Sequence, residues 1–340
     1  MKDIARELDL SITTVSFVVN GKCDSISPAT VKKVKALIKK RGFNPNSAAR
    51  ILRTGQSKTI GLIVEDIGNY FFGNIAKIIE LEAHKNGYNV FFSSTENDDD
   101  NAKALINKMK NSSVDGFIIT ATKGLKEEIL KFKNENLPFV LIDRLVPGIE
   151  SNYIILDNYK GAYDLTKHLL SNGYRKIGFV SIPEGMSQMI DRKQGFIDAL
   201  NDSKINITAK TILEVSYKDS NKALATIKKY IGKNPDLDAL FFATNYLGVL
   251  GIEALQQRNL KIPEDIAVVS FDDNDLFRLF TPSITVAAQP IKEIATKSIA
   301  LLLKIINKEQ SKARLVGEII RPTIIIRDSS PKKREIRMVI

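Results

Sequence analysis

The 340-residue sequence predicts a small all-α module followed by a larger α/β body of two doubly wound parallel-sheet lobes. Three observations carry that prediction. Short helical patterns with one apolar stripe fill the stretch up to Gly42. From Thr59 the pattern changes to short apolar runs separated by longer amphipathic helices. The net charge of +11 lies wholly outside that second region.

The first helical pattern runs from Asp3 to Leu10, with Ile4, Ala5 and Leu8 on one face. Ser11 is a good N-cap for a second helix, Ile12 to Val19, which buries Val15, Val18 and Val19 and turns Thr13, Thr14, Ser16 and Phe17 outward. Asn20-Gly21 stops it. Two short helices at a tight turn, the second presenting small side chains, match the helix-turn-helix unit, whose second helix lies in the DNA major groove. A third helix starts at Pro28, buries Val31, Val34 and Ile38, and ends at Gly42. The segment from Asn44 to Gly55 opens on a proline turn, runs for about two helical turns and stops at glycine. Its apolar surface is too small for it to fold alone.

In the body, Ile60 to Val64, Val90 to Ser93, Gly116 to Thr120 and Phe139 to Ile142 read as one series of strands. Ile177 to Ser181, Thr211 to Val215, Ala239 to Ala243 and Ile266 to Phe271 read as a second. Strand and helix alternating at this spacing predict parallel sheets covered on both faces. Asn86-Gly87-Tyr88 and Asn172-Gly173-Tyr174 occupy matching places between a helix and a strand, which implies two similar lobes. Paired lobes of this kind take a ligand at the strand C-terminal ends. The residues to watch are therefore Asp66, Asn69 to Phe72, Asp143-Arg144, Asp191-Arg192, Thr244-Asn245-Tyr246 and Asp272-Asp273. Capping of the following helix is the competing reading for Asn245, Asp157 and Asp273, and core packing for Phe71 and Phe72.

Residues 1–58 hold twelve Lys and Arg against four Asp and Glu, and residues 331–340 add a further +3, which leaves the body neutral. A basic head on a neutral body fits phosphate binding by one module. The alternative, a solvated lysine face, accounts for Lys32 to Lys40 but not for the helix pattern around them. The 44% hydrophobic and 26% charged content excludes the disordered classes. Cys23, the single cysteine, has no internal disulfide partner. No apolar run resembles a signal peptide or a membrane span, so a cytoplasmic location is expected.

Lys2-Asp3-Ile4-Ala5, Thr14-Val15-Ser16, Val19-Asn20-Gly21, Phe43-Asn44-Pro45-Asn46 and Ala49-Arg50-Ile51-Leu52-Arg53-Thr54-Gly55 resemble the DNA-binding headpiece and hinge helix of the lac repressor (LacI/GalR) family. The resemblance continues along almost the whole chain. It implies a headpiece over 1–45, a hinge helix and linker over 46–58, a two-lobe effector-binding and dimerisation domain over 59–330 that resembles periplasmic binding proteins, and a basic tail over 331–340. It also implies a homodimer on pseudo-palindromic double-stranded operator DNA, with Ser11, Ile12, Thr13, Thr14, Ser16, Phe17, Asn20, Ala49, Leu52 and Arg53 at the DNA. Leu52 matches the leucine that wedges into the minor groove, where unstacking a base step costs a few kcal/mol and is offset by contacts to the kinked duplex. Arg192-Lys193-Gln194-Gly195-Phe196 matches the family's ligand-binding arginine motif, Asp272 its acceptor carboxylate, and Asn245 the asparagine of its usual Asn-Asp pair. With Phe71, Phe72 and Arg144 these make the expected effector site. Gln289-Pro290 resembles the family's crossover turn. The chain departs from the pattern at Phe17, where the family usually has arginine, and at Tyr246, which replaces the aspartate.

The function implied is a sequence-specific transcriptional regulator, a repressor of carbohydrate-use genes switched by a small sugar-like effector. An enzyme is the first rival. His84 and His168 lie mid-helix beside charged neighbours, which predicts surface positions, and no nucleophile elbow, phosphate loop, dinucleotide fingerprint or Cys/His metal spacing is present, so neither catalysis nor a cofactor is expected. A solute-binding protein would need an export signal and no basic head. A family regulator with a protein co-effector is the remaining alternative. The tail lacks a leucine heptad, which favours a dimer over a tetramer.

Overall fold

The computed structural model describes residues 1–19, 21–42, 55–183, 185–309 and 315–333, in two compact units, Met1–Lys58 and Thr59–Ile340. The first contains α1 (Lys2–Glu7), α2 (Ile12–Val19) and α3 (Pro28–Lys40). α1 stops short of the expected Leu10 because Asp9 turns into the left-handed region at φ 52° and the Leu10 N–H reaches back to the Ala5 carbonyl at 2.9 Å. The Ser11 hydroxyl accepts from the Thr14 N–H at 3.0 Å, and Ser27 caps α3 through the Thr30 N–H at 3.2 Å. After α2, Gly21 at φ 70° lets the Lys22 N–H close on the Phe17 carbonyl at 2.9 Å. Ile4, Ala5, Val15, Val18, Val34 and Leu37 form the shared core. Leu37, three residues after Val34, takes the central place expected for Val31 and Ile38, which are half-buried.

The second unit holds two six-stranded sheets, where the sequence predicts two lobes with four strands each. The first lobe is built on β1 (Thr59–Val64), β2 (Asn89–Ser94), β3 (Gly116–Ile119), β4 (Phe139–Ile142) and β5 (Tyr153–Leu156), with α4 (Tyr70–Lys85), α5 (Asp99–Asn111) and α6 (Lys126–Asn134) between them. The second lobe follows with α7 (Asn158–Ser171), β6 (Ile177–Ser181), α8 (Ser187–Asp202), β7 (Ile212–Glu214), α9 (Ser220–Lys233), β8 (Ala239–Phe242), α10 (Asn245–Gln256), β9 (Ala267–Phe271), α11 (Asp275–Leu279) and β10 (Thr285–Ala288). The chain then returns through α12 (Ile291–Ile306), which packs on α4, and ends in β11 (Gly317–Ile320) and β12 (Thr323–Ile325). The strand orders are β11-β5-β4-β3-β1-β2 and β12-β10-β9-β8-β6-β7. All pairings are parallel except β10 with β12.

Sequence reading did not reveal β5, β10, β11 and β12, because these three- and four-residue strands border segments that cross between lobes. The crossings fall between β5 and α7, between β10 and α12 at Gln289-Pro290, and between β11 and β12. Alternation within the strands divides the cores: Ile60, Leu62 and Val64 face the cluster shared with α4 and α12, while Ile63, Phe117 and Leu141 face α5 and α6. Asn86 and Asn172 are the C-caps of α4 and α7, and Gly87 and Gly173 follow in the left-handed region at φ 74° and 93°.

Candidate functional site

α2 presents Ile12, Thr13 and Phe17 to solvent, with Ile12 49% and Phe17 41% exposed, and Thr14 and Ser16 half-buried beside them. The Ser11 hydroxyl is committed to the helix cap and to the Thr14 hydroxyl at 2.9 Å. The apolar side of α2, Val15 and Val18, is held in the headpiece core. Of the remaining expected DNA contacts, Asn20, Ala49, Leu52 and Arg53 lie outside the described residues.

In the second unit, the C-terminal ends of the two sheets meet in a cleft lined by Glu65, Phe71, Asp143, Gln188, Arg192, Tyr246, Asp272 and Gln289. Asp143 and Asp272 hold equivalent places, each directly after the fourth strand of its lobe and each in the left-handed region, at φ 67° and 66°. Asn and Asp tolerate that conformation better than other side chains. Here it ends the strand sharply and leaves each carboxylate at the cleft. Arg192 enters from the first turns of α8. Its Nε donates to Asn158 Oδ1 at 2.9 Å, its Nη1 donates to the Ala243 carbonyl at 2.6 Å and to Asp272 Oδ2 at 3.4 Å, and its plane stacks 3.7 Å from the Phe271 ring centroid. Gln289 at the crossover donates to the other oxygen of Asp272 at 2.6 Å.

Burial pushes the Asp272 carboxyl above its ordinary range against the pull of Arg192 and Gln289, and Asp143 across the cleft adds to the push. Burial likewise raises the Tyr246 phenol, which stays protonated as a donor. Its ring packs on Tyr217, with centroids 4.1 Å apart. Phe71 and Phe72 form an edge-to-face pair at 4.9 Å on the opposite wall and line the same cleft.

Arg144 is outside the lining. It is buried and occupied by Asp143 at 3.0 Å, Asn97 at 2.9 Å, Met186 and Glu65, so it neutralises cleft carboxylates from behind instead of facing the cavity. Asn245 is also buried off the lining and accepts from the Tyr246 N–H at 2.8 Å, while Thr244 is the cap of α10. Asp157 caps α7, and Asp273 pairs with Arg327 at 2.6 and 2.8 Å. His168 is not a surface histidine: its ring bonds to the Ser330 hydroxyl at 2.8 Å, and burial lowers its pKa.

Glu65 and Gln188 were not picked out in the sequence. Gln188 lies one helical turn before Arg192 on the same face of α8, a spacing that could have revealed it. Its Nε2 donates to Asp143 at 3.2 Å, and its buried Oε1 has no hydrogen-bond partner among the described residues. The two lobes also touch where the Leu145 N–H donates to the Ser187 hydroxyl at 3.2 Å. The Arg192 chamber encloses about 30 Å³, room for one or two waters. A sugar ring therefore enters it only by displacing side chains or separating the lobes. Among the described residues no group of acids, His or Cys could hold a metal, and no helix is long and apolar enough to cross a membrane.

A basic helix-turn-helix unit in the same chain as a two-lobe parallel-sheet body with a polar cleft defines a class: ligand-responsive DNA-binding regulators. The profile described as periplasmic binding proteins and sugar binding domain of LacI family matches residues 57–321, and that of bacterial regulatory proteins, lacI family, matches residues 1–46. The chain belongs to the LacI family of transcriptional regulators. It is 33% identical to the HTH-type transcriptional regulator RegA of Clostridium saccharobutylicum over 91% of this chain and 93% of that protein. Catabolite control protein A of Priestia megaterium is 29% identical over 92% and 94%. The lac repressor dimer bound to operator and the anti-inducer ONPF superposes with a TM-score of 0.83 at 21% identity, covering 97% of this chain and 98% of that one. A regulator from Alkaliphilus metalliredigens complexed with D-xylulofuranose gives a TM-score of 0.71 at 28% identity over 80% and 99%.

Proposed function

We propose that this regulator is a homodimeric repressor of carbohydrate-use genes, that α2 reads each half of a pseudo-palindromic operator, and that a neutral polyhydroxyl effector binds in the inter-lobe cleft. The observation that carries the effector reading is the buried Arg192–Asp272 pair beside the unpartnered Gln188 Oε1. A sugar diol both donates and accepts, and a guanidinium and a carboxylate on one wall satisfy both halves. Arg192 is offset by Asp272, and Arg144 by Asp143 and Glu65, so the cleft holds no surplus positive charge for a sugar acid or phosphate, which favours a neutral ligand. The D-xylulofuranose bound by the Alkaliphilus relative is a neutral ligand of that kind.

The dimer reading is supported by β2, an edge strand whose Phe91 and Phe92 are 49% and 51% exposed on its two faces. An apolar sheet edge of this kind is a site for pairing with a second copy across a two-fold axis. The test is a panel of mono- and disaccharides, sugar acids and sugar phosphates, scored by melting temperature and operator binding. A neutral sugar should raise the melting temperature and alter operator affinity, and Arg192→Ala and Asp272→Ala should each abolish the thermal response. A response restricted to acidic sugars contradicts the charge argument. No response to any compound favours a protein co-effector.

A further inference from the structure

A polar chamber of about 160 Å³ lies at the other end of the second lobe, at the N-terminal ends of β6, β7 and β8. The length of β6, five residues or about 16 Å, separates that end of the sheet from the cleft. Arg175 and Lys176 line the chamber from the turn before β6, Lys210 from the loop before β7 and Asp236 from the turn before β8, beside the apolar Ile205 and Leu237. The Lys176 ammonium lies 3.4 Å from Asp236, so those two charges offset each other. Arg175 and Lys210 have no carboxylate within ion-pair distance among the described residues. Arg175 Nη1 donates to the Leu170 and Tyr174 carbonyls at 2.5 and 2.8 Å, which orient the guanidinium without neutralising it. The Lys210 backbone is pinned by its N–H to the Thr208 hydroxyl at 3.2 Å and by its carbonyl, which accepts from the Tyr230 hydroxyl at 2.5 Å. Asp238, outside the lining, accepts from the Arg175 and Lys176 N–H groups at 3.0 Å each and from Lys333 Nζ at 2.7 Å, so it is committed to the turn and to the basic tail.

We infer that this chamber is a second ligand site, distinct from the cleft, and that it takes a phosphate group, either free or carried by a small monoester. Its lining carries three cations against one carboxylate, within a body, residues 59–330, whose net charge is zero, so the excess is local. Two uncancelled cations of different geometry, the planar fork of Arg175 and the point charge of Lys210, suit the several acceptor oxygens of a phosphate, and charge-assisted bonds of this kind are the strong ones. The chamber holds several waters' worth of space, where the Arg192 chamber holds one or two, so a phosphate enters without separating the lobes. Ile205 and Leu237 offer apolar contact to the carbon chain of an ester. The inference stands apart from the sugar reading of the cleft, whose one lining cation is offset by Asp272.

The experiment is calorimetric titration of the full-length protein with inorganic phosphate, glycerol 3-phosphate and glycerol at fixed ionic strength. At least one of the two phosphate compounds should bind saturably, at one site per chain and with a dissociation constant of about 1 mM or tighter, while glycerol does not bind. Equal affinity for the two assigns the site to the phosphate group alone, and a tighter ester assigns it to the monoester; either result supports the inference. Lys210→Ala, at an exposed position, should weaken binding about tenfold or more, Lys210→Glu should abolish it, and Lys210→Arg, which keeps the charge, should retain it within about threefold. Phosphate binding that Lys210→Ala and Lys210→Glu leave unchanged places the anion on the basic headpiece or in the cleft and overturns the inference. So does the absence of saturable binding of both phosphate compounds up to about 10 mM.

Discussion

Ile12, Thr13 and Phe17 are exposed on a helix whose other side is locked into the headpiece core, so they can change without disturbing the fold. Phe17 offers no hydrogen-bond donor, whereas arginine at that place would contact a base edge or phosphate. Exchanging Ile12 and Thr13 should therefore change the preferred bases in each half-site, as read by selection from a random DNA pool, with little change in melting temperature. Unchanged preferences would remove α2 as the reading element. At this scale the sequence was informative for Ser11, read as a helix cap, while the family resemblance drew attention to Arg192 and Asp272, which the fold brings together. The sequence was not informative for Arg144, because its partners Glu65 and Asn97 approach from other loops, and only folding reveals that its charge is already neutralised. Gln188 is the reverse case: its helical spacing from Arg192 was a usable signal, and the fold adds its partner, Asp143.

Among the elements, β2 and α7 carry the clearest consequences. If the exposed β2 edge is a subunit contact, Phe91→Glu with Phe92→Glu should yield a folded monomer in sedimentation, with operator affinity reduced at least about tenfold because two half-sites no longer bind as one unit. An unchanged dimer would place the contact elsewhere. In the last turn of α7, His168 bonds to Ser330, while the Asn172 amide donates to the Ser330 carbonyl at 2.8 Å and the Tyr174 hydroxyl to the Pro331 carbonyl at 2.9 Å. Burial lowers the His168 pKa from its ordinary value of 6.5. The unfolded chain therefore takes up the proton first as pH falls, so this site's contribution is intact above 6.5 and is lost between there and the lower folded-state pKa. The urea midpoint should fall on acidification through that window, and fall less in His168→Gln. Equal falls would show that other groups set the acid limit. The principal strands and helices were legible from apolar runs and amphipathic spacing. The short crossing strands were not, since β5 and β12 pair across long sequence separations and show no periodicity over three or four residues.

For the whole molecule, both the two-lobe body and the headpiece were visible in the change of pattern at Thr59 and in the charge division, because each follows from composition over tens of residues. The shape of the cleft was not, since its walls come from the loops and helix starts after β1, β4, β6, β8, β9 and β10, brought together by the crossovers. If the cleft ligand changes operator affinity, linkage requires that operator DNA change the ligand's affinity by the same factor. The most direct measurement is the affinity of the best-binding sugar by calorimetry, with and without saturating operator DNA, beside operator affinity with and without saturating sugar. The account predicts that both affinities change by one common factor of about fivefold or more, and that Arg192→Ala abolishes the sugar effect on DNA. A sugar that binds equally well to free and operator-bound protein would contradict it.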